Sequence, residues 1–144
     1  MTLSFTDLMR IFPGYLIDYD NEAHYRGMAE RRLVLNRCTE CGYWIYPISP
    51  LCPKCWCDVL EPAEVSGRGV VHIFTLLRHG SPIPGVDFST PHPIAGIELV
   101  EQAGLRYLAP IVNCPNDEIR LDMPVELTWI ERAGAPAPAF QPVR

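Results

Sequence analysis

Between Val70 and Leu77 the chain reads Val-Val-His-Ile-Phe-Thr-Leu-Leu, a run rich in β-branched and aromatic residues that predicts a strand. The same signal recurs at Leu60 to Val65, Ile94 to Val100, Leu105 to Val112 and Val125 to Glu131. Ser66-Gly67-Arg68-Gly69 turns the first run into the second, and Glu101-Gln102-Ala103-Gly104 makes a compact turn between the Ile94 and Leu105 runs. Five short strands without helical periodicity between them predict a small closed barrel. At this size the five-stranded, partly open OB type fits. Gly67, Gly69 and Gly96 fall where strands of such a barrel bend sharply.

The pattern ahead of the barrel differs. Residues 5–19, Phe-Thr-Asp-Leu-Met-Arg-Ile-Phe-Pro-Gly-Tyr-Leu-Ile-Asp-Tyr, form a short amphipathic start broken at Pro13-Gly14. Asp20 or Asn21 then caps a helix on which Tyr25, Met28, Ala29 and Arg32-Leu33 recur at three-to-four-residue spacing. Leu33-Val34-Leu35 is a strand running into Cys38. Past the last barrel strand, the stretch from Ala133 to Pro142 has proline alternating with alanine over residues 135–139, which forbids helix and predicts an extended tail. Phe140 is its anchor, on this chain or on a partner. The expected organisation is an amphipathic segment and helix (1–36), a cysteine-bearing ribbon (37–58), the barrel (59–132) and the tail (133–144). The fold class is mainly β with an N-terminal helix.

Chemistry enters with the cysteines. Cys38-Thr39-Glu40-Cys41 and Cys52-Pro53-Lys54-Cys55 are two CxxC knuckles about ten residues apart, with Tyr43 to Leu51 as a short hairpin between them. Four thiolates suit a tetrahedral Zn²⁺ in a structural site, and Gly42 after the first knuckle can take up positive φ. A rubredoxin-type iron centre uses the same four thiolates, so spacing leaves the metal open. Disulfides are the other use of paired cysteines. The start of the chain lacks the basic stretch and apolar core of a signal peptide, so a reducing, cytoplasmic setting is expected, where metal ligation prevails. A four-thiolate site has no open position for substrate. Cys57, two residues past Cys55, is a poorer geometric match as a ligand. Cys114 reads as a small half-buried residue, and as a nucleophile only with a base beside it.

Composition narrows the function classes. With 48% hydrophobic and 20% charged residues among 144, the chain can build a real core. No apolar run approaches the roughly 18 residues that cross a bilayer, so no membrane partner is expected. The formal net charge of −5 speaks against a nucleic-acid binder, which needs a basic stripe. An OB module stacking bases on Phe74, Tyr107 and Trp129 remains the alternative of a different class, although at strand spacing those residues also suit a core. The segment from Arg78 to Pro93 is the longest loop, and loops of that length are commonly functional. It carries Ile83, Val86 and Phe88 as apolar contacts and has His79 and His92 at its ends, and it is expected to form a lip over a binding surface.

Taken in order, these segments have a family likeness. The helix with Gly27-Met28-Ala29-Glu30-Arg31-Arg32-Leu33-Val34-Leu35 leads into Arg37-Cys38-Thr39-Glu40-Cys41-Gly42. There follow Tyr46-Pro47, Cys52-Pro53-Lys54-Cys55, Ser66-Gly67-Arg68-Gly69-Val70-Val71 and Asp122-Met123-Pro124-Val125-Glu126. The chain resembles the acyl-CoA-associated family that joins a rubredoxin-like zinc ribbon to a C-terminal OB fold. Asp122 departs from the glycine often found at that position. The resemblance implies structural Zn²⁺ on Cys38, Cys41, Cys52 and Cys55, and no catalytic residue in this chain. It further implies a non-catalytic but required role in a hetero-oligomer with a thiolase-fold catalytic subunit acting on a CoA thioester. Family members accompany thiolases, aldolases or hydratases. The amphipathic start and the compact length are similar to the small subunit of a benzoylsuccinyl-CoA thiolase. Arg68, Arg78 and Arg106, near loop ends, are the candidates for phosphate or pantetheine contacts. On this reading the apolar excess of Phe5, Leu8, Ile11, Phe12, Tyr15 and Leu16, with Tyr25 and Met28, docks on the partner. The alternative is that it folds back on the chain's own barrel.

Overall fold

The computed structural model describes residues 2–82 and 86–144, so Ile83 of the long loop lies outside the described residues. Two helices, α1 (Phe5–Ile11) and α2 (Glu22–Ala29), precede the strands β1 (Val34–Cys38), β2 (Trp44–Ile45) and β3 (Leu60–Glu64). Then come β4 (Arg68–Leu77), β5 (His92–Leu99), β6 (Arg106–Pro110), β7 (Pro124–Arg132) and β8 (Ala135–Pro142). The last five form an antiparallel sheet in the order β6-β5-β4-β7-β8. A parallel bridge between Ile111 and Phe140, with the Val112 N–H donating to the Phe140 carbonyl at 2.8 Å, brings the two ends together. The result is a nearly closed five-stranded barrel of the OB type. Val71, Ala95, Ile97, Tyr107, Val125 and Phe140 fill it.

One strand assignment changes. Leu60–Glu64 is not the first barrel strand; it pairs along β1, from Val34 opposite Glu64 to Cys38 opposite Leu60. Glu61, Pro62 and Glu64 are exposed, so this strand lacks the apolar face a barrel wall needs. The fifth barrel strand is β8, drawn from the stretch expected to be an extended tail. Ala133 (φ 53°) and Gly134 (φ 79°) make a two-residue hairpin turn closed by the Arg132–Ala135 pair. Prolines 136, 138 and 142 sit at alternate positions, so their missing N–H groups all fall on one edge and the ladder to β7 survives on the other. The pattern that forbids helix is thus the pattern of an edge strand. Phe140, fully buried, is the anchor expected of it, on this chain.

Close approach explains a glycine at the start of β4. A Cβ on Gly69 would collide with the Glu98 carbonyl oxygen of the neighbouring strand, and one on Gly67 (φ 82°) would lie 2.5 Å from the Leu127 Cβ. Between the knuckles, only Trp44–Ile45 is strand. It pairs back on β1 and does not form a hairpin running to Leu51.

At the N-terminus, Ser4 and Asp7 form a capping box: the Ser4 Oγ accepts the Asp7 N–H at 3.1 Å and the Asp7 carboxylate accepts the Ser4 N–H at 3.0 Å. Asn21 stands at the N-cap of α2 without capping it through its side chain. That helix stops at Ala29, because Arg31 turns left-handed (φ 57°), and Leu33 joins the barrel core instead of the helix face. Leu8, Phe12, Ile17, Met28 and Ala135 pack into a second apolar cluster. Leu8, Ile11, Phe12 and Met28 of the apolar excess therefore fold back on the chain itself around Ala135 of β8, with Tyr25 and Trp129 at the margin, while Phe5, Tyr15 and Leu16 stay exposed.

Candidate metal centre

The two knuckles repeat each other bond for bond. In the first, the Cys38 N–H donates to the Tyr43 carbonyl (2.9 Å) and the Gly42 N–H to the Cys38 carbonyl (3.0 Å). In the second, the Cys52 N–H donates to the Cys57 carbonyl (2.9 Å) and the Trp56 N–H to the Cys52 carbonyl (2.9 Å). The residue after each second cysteine is left-handed, Gly42 at φ 75° and Trp56 at φ 67°. Glycine makes this turn easily in one knuckle; in the other an exposed tryptophan makes it under strain.

These turns aim four sulfurs at one point. The Sγ atoms of Cys38, Cys41, Cys52 and Cys55 all lie within 4.8 Å of one another, with Cys38 and Cys55 at 3.5 Å and Cys41 and Cys52 at 3.6 Å. A tetrahedron of Zn–S bonds of about 2.3 Å has edges of roughly 3.8 Å, so the two shorter sulfur pairs already lie near the spacing such an ion needs. Ionisation points the same way. Backbone N–H donors, that of Cys41 foremost, draw the Cys38 thiol down to about 6. At Cys55 the Cys57 N–H favours the thiolate, but desolvation and the other three sulfurs outweigh it and push the thiol up to about 12. Four thiols this close shed the first proton easily and the last reluctantly, so a full thiolate set calls for a cation. Cys57 is not in the set. Its sulfur instead accepts the Val59 N–H at 3.3 Å. Cys38 and Cys52 are buried with Ile45, which roots the centre in the ribbon.

The ribbon is bonded firmly to the barrel. Leu33, Leu35 and Trp44 belong to the barrel's own apolar cluster. His24 on α2 holds the Val34 carbonyl at 2.9 Å through Nδ1 and meets the Tyr107 hydroxyl at 3.3 Å through Nε2. Burial keeps this imidazole below its ordinary pKa, so it is neutral, with Nδ1–H donating to Val34 and Nε2 accepting from Tyr107. Sequence reasoning missed His24, and its only local signal is a polar residue on a helix beside apolar Tyr25.

The other candidate residues do not converge. Arg68 opens and Arg78 follows a ten-residue strand, roughly 33 Å long at 3.3 Å per residue, so they cannot share one phosphate. Arg106 is held by Glu98 at 3.3 Å. The Cys114 thiol is raised by desolvation and donates to the Pro115 carbonyl at 3.5 Å, the opposite of an activated nucleophile. His79 is exposed on the loop. His92 opens β5 opposite Leu77, and its buried Nε2 has no hydrogen-bond partner among the described residues. Tyr107 is buried in the barrel core, Phe74 packs half-buried against it and Trp129 half-buried against the N-terminal cluster, so the three do not form a common open stacking face. Among the described residues, no helix is long and apolar enough to cross a membrane.

Comparison with known proteins follows the same two-part division. A family model described as the ChsH2 rubredoxin-like zinc ribbon domain matches residues 27–61, and one described as the ChsH2 C-terminal OB-fold domain matches residues 63–130. A DUF35 domain-containing scaffold protein of Pyrococcus furiosus is 32% identical over 105 residues, covering 72% of this chain and 74% of that protein. The chain belongs to the ChsH2 (DUF35) family of zinc-ribbon and OB-fold proteins. A solved ChsH2-family structure described as an Ltp2-ChsH2(DUF35) aldolase superposes with a TM-score of 0.78 at 31% identity, over 89% of this chain and 98% of that one. A DUF35 protein of unknown function from Sulfolobus solfataricus shares the fold at 14% identity and TM-score 0.62, over 96% of each chain. A probable enoyl-CoA hydratase alpha subunit of Thermomonospora curvata is 34% identical over 119 residues, 83% of this chain. The chain spans only 36% of that subunit's length.

Proposed function

We propose that this chain is the accessory subunit of a heteromeric enzyme acting on CoA thioesters, with the covalent chemistry carried by a thiolase-fold partner. The observation that carries the reading is the match over nearly the whole ChsH2 (DUF35) chain of an aldolase complex. Cys38, Cys41, Cys52 and Cys55 would hold a structural Zn²⁺, which stabilises the ribbon and leaves no coordination position for substrate. The ribbon and barrel, joined by a common core, then act as one rigid body on which a larger subunit is positioned. For the CoA phosphates, Arg68 and Arg78 are better candidates than Arg106, which is already held by Glu98. In its narrowest form the reaction is thiolysis of a 3-oxoacyl-CoA such as benzoylsuccinyl-CoA, or the reverse Claisen condensation that forms one and releases CoA.

A second reading takes a hydratase as the partner. It is favoured by the Thermomonospora relative, in which a similar segment occupies about a third of a probable hydratase subunit.

The test is to co-express the chain with the thiolase-fold and hydratase genes of its own genome, purify by a tag on this chain, and assay CoA-thioester turnover. The expected result is a stable complex whose activity needs both chains. Robust turnover by the isolated chain would overturn the accessory reading.

A further inference from the structure

The loop between α1 and α2 is built to hold two large apolar side chains in water. The Asp18 Oδ1 accepts the N–H groups of Asp20 (2.9 Å) and Asn21 (3.0 Å), and the Asn21 Oδ1 accepts the Asp18 N–H (2.8 Å). Asn21 also donates through Nδ2 to the Leu16 carbonyl at 2.9 Å. This reciprocal lock spans residues 16–21, and Ile17 within it is buried against Phe12 and Met28. On either side of Ile17, Leu16 is 85% exposed and Tyr19 93% exposed, above every other large apolar side chain described. Single exposed apolar residues are ordinary; a pair this exposed on a braced loop is not.

The surroundings are acidic. Asp18 and Asp20 belong to the loop, and Tyr19 borders a hollow of about 430 Å³ that Asp20, Glu22 and Asp58 also line. Glu22 is paired with Arg26, whereas Asp18, Asp20 and Asp58 make no ion pair among the described residues.

We propose that the Leu16–Tyr19 loop is the docking point for the catalytic subunit, whose matching surface is an apolar socket edged with Arg or Lys. The inference rests on the accessory role above. Tyrosine and leucine held in one geometry before binding lose little entropy on burial, which is how a few anchors come to dominate an interface. The unpaired carboxylates select a basic rim and steer approach to it. They also disfavour a second copy of this chain, because two such loops would bring like charges together.

The experiment uses the full chain and whichever thiolase-fold or hydratase subunit co-purifies with it. The double variant L16S/Y19S is expected to weaken the complex by at least about 30-fold. D20N/D58N is expected to slow association several-fold and flatten its salt dependence. Both variants should keep wild-type thermal unfolding, since Leu16, Tyr19 and Asp58 are exposed and the half-buried Asp20 makes no ion pair among the described residues. If the wild type binds the subunit and L16S/Y19S binds it equally well, the inference falls and the accessory role stands. If the wild type binds no such subunit, both fall. A wild-type chain that dimerises alone, and becomes monomeric in L16S/Y19S, gives the loop to a second copy and overturns the proposal.

Discussion

The Gln102 side chain bonds Trp44 at both of its backbone polar groups, accepting the N–H at 2.9 Å and donating to the carbonyl at 3.0 Å. One amide thereby supplies what a neighbouring strand would supply, and it ties the β5–β6 turn to the ribbon strand β2. Gln102→Ala leaves two partly buried backbone groups unpaired. The expected cost is about 2–3 kcal/mol, read as a fall in the thermal midpoint of several degrees with metal content unchanged.

The His24–Tyr107 contact makes stability depend on pH. Burial lowers the His24 pKa in the fold, so below the ordinary histidine value of 6.5 the unfolded chain takes a proton that the folded chain resists. Its contribution is fully present above pH 6.5 and is lost as the pH falls, by up to about 1.4 kcal/mol per unit until the depressed folded pKa is reached. Urea midpoints measured from pH 7.5 to 5.5 should fall in the wild type. In His24→Gln they should start lower and slope less, and an unchanged slope would count against a neutral buried imidazole.

Metal loss should follow the sulfur geometry. Cys52→Ser removes a fully buried ligand candidate and is expected to drop zinc from about one per chain to near none, and to loosen the ribbon. Because Leu33, Leu35 and Trp44 also serve the barrel core, barrel stability should fall with it. Cys57→Ser should retain the metal. Elemental analysis of the two purified variants separates these outcomes.

Two leucines eight residues apart in the N-terminal segment should behave oppositely. Leu8, with no exposure, packs among Phe12, Met28 and Ala135, so Leu8→Ala should cost about 2–4 kcal/mol. Leu16→Ala should change stability by less than about 0.5 kcal/mol. Denaturant unfolding of the two variants is the check.

What the sequence determined by itself was local or periodic. Two CxxC knuckles bring their sulfurs together through short turns, and the alternation in β4 to β7 names barrel strands because neighbouring residues decide both. Phe140 was legible as an anchor because a large aromatic in a proline-alanine stretch has little else to do. Which strands pair was not local. Leu60–Glu64 and Ala135–Pro142 each read as extended, and only the β1 edge and the β7 hairpin decided which belongs to the ribbon and which closes the barrel. The ties between the two parts were invisible for the same reason: His24 finds Tyr107 83 positions away, and Gln102 finds Trp44 58 positions away. The division of the N-terminal apolar residues was also tertiary. Leu8, Phe12 and Ile17 share the amphipathic pattern of Leu16, but the surface offered by Met28 and Ala135 covers only the first three, and the Asp18–Asn21 lock holds Leu16 and Tyr19 in water.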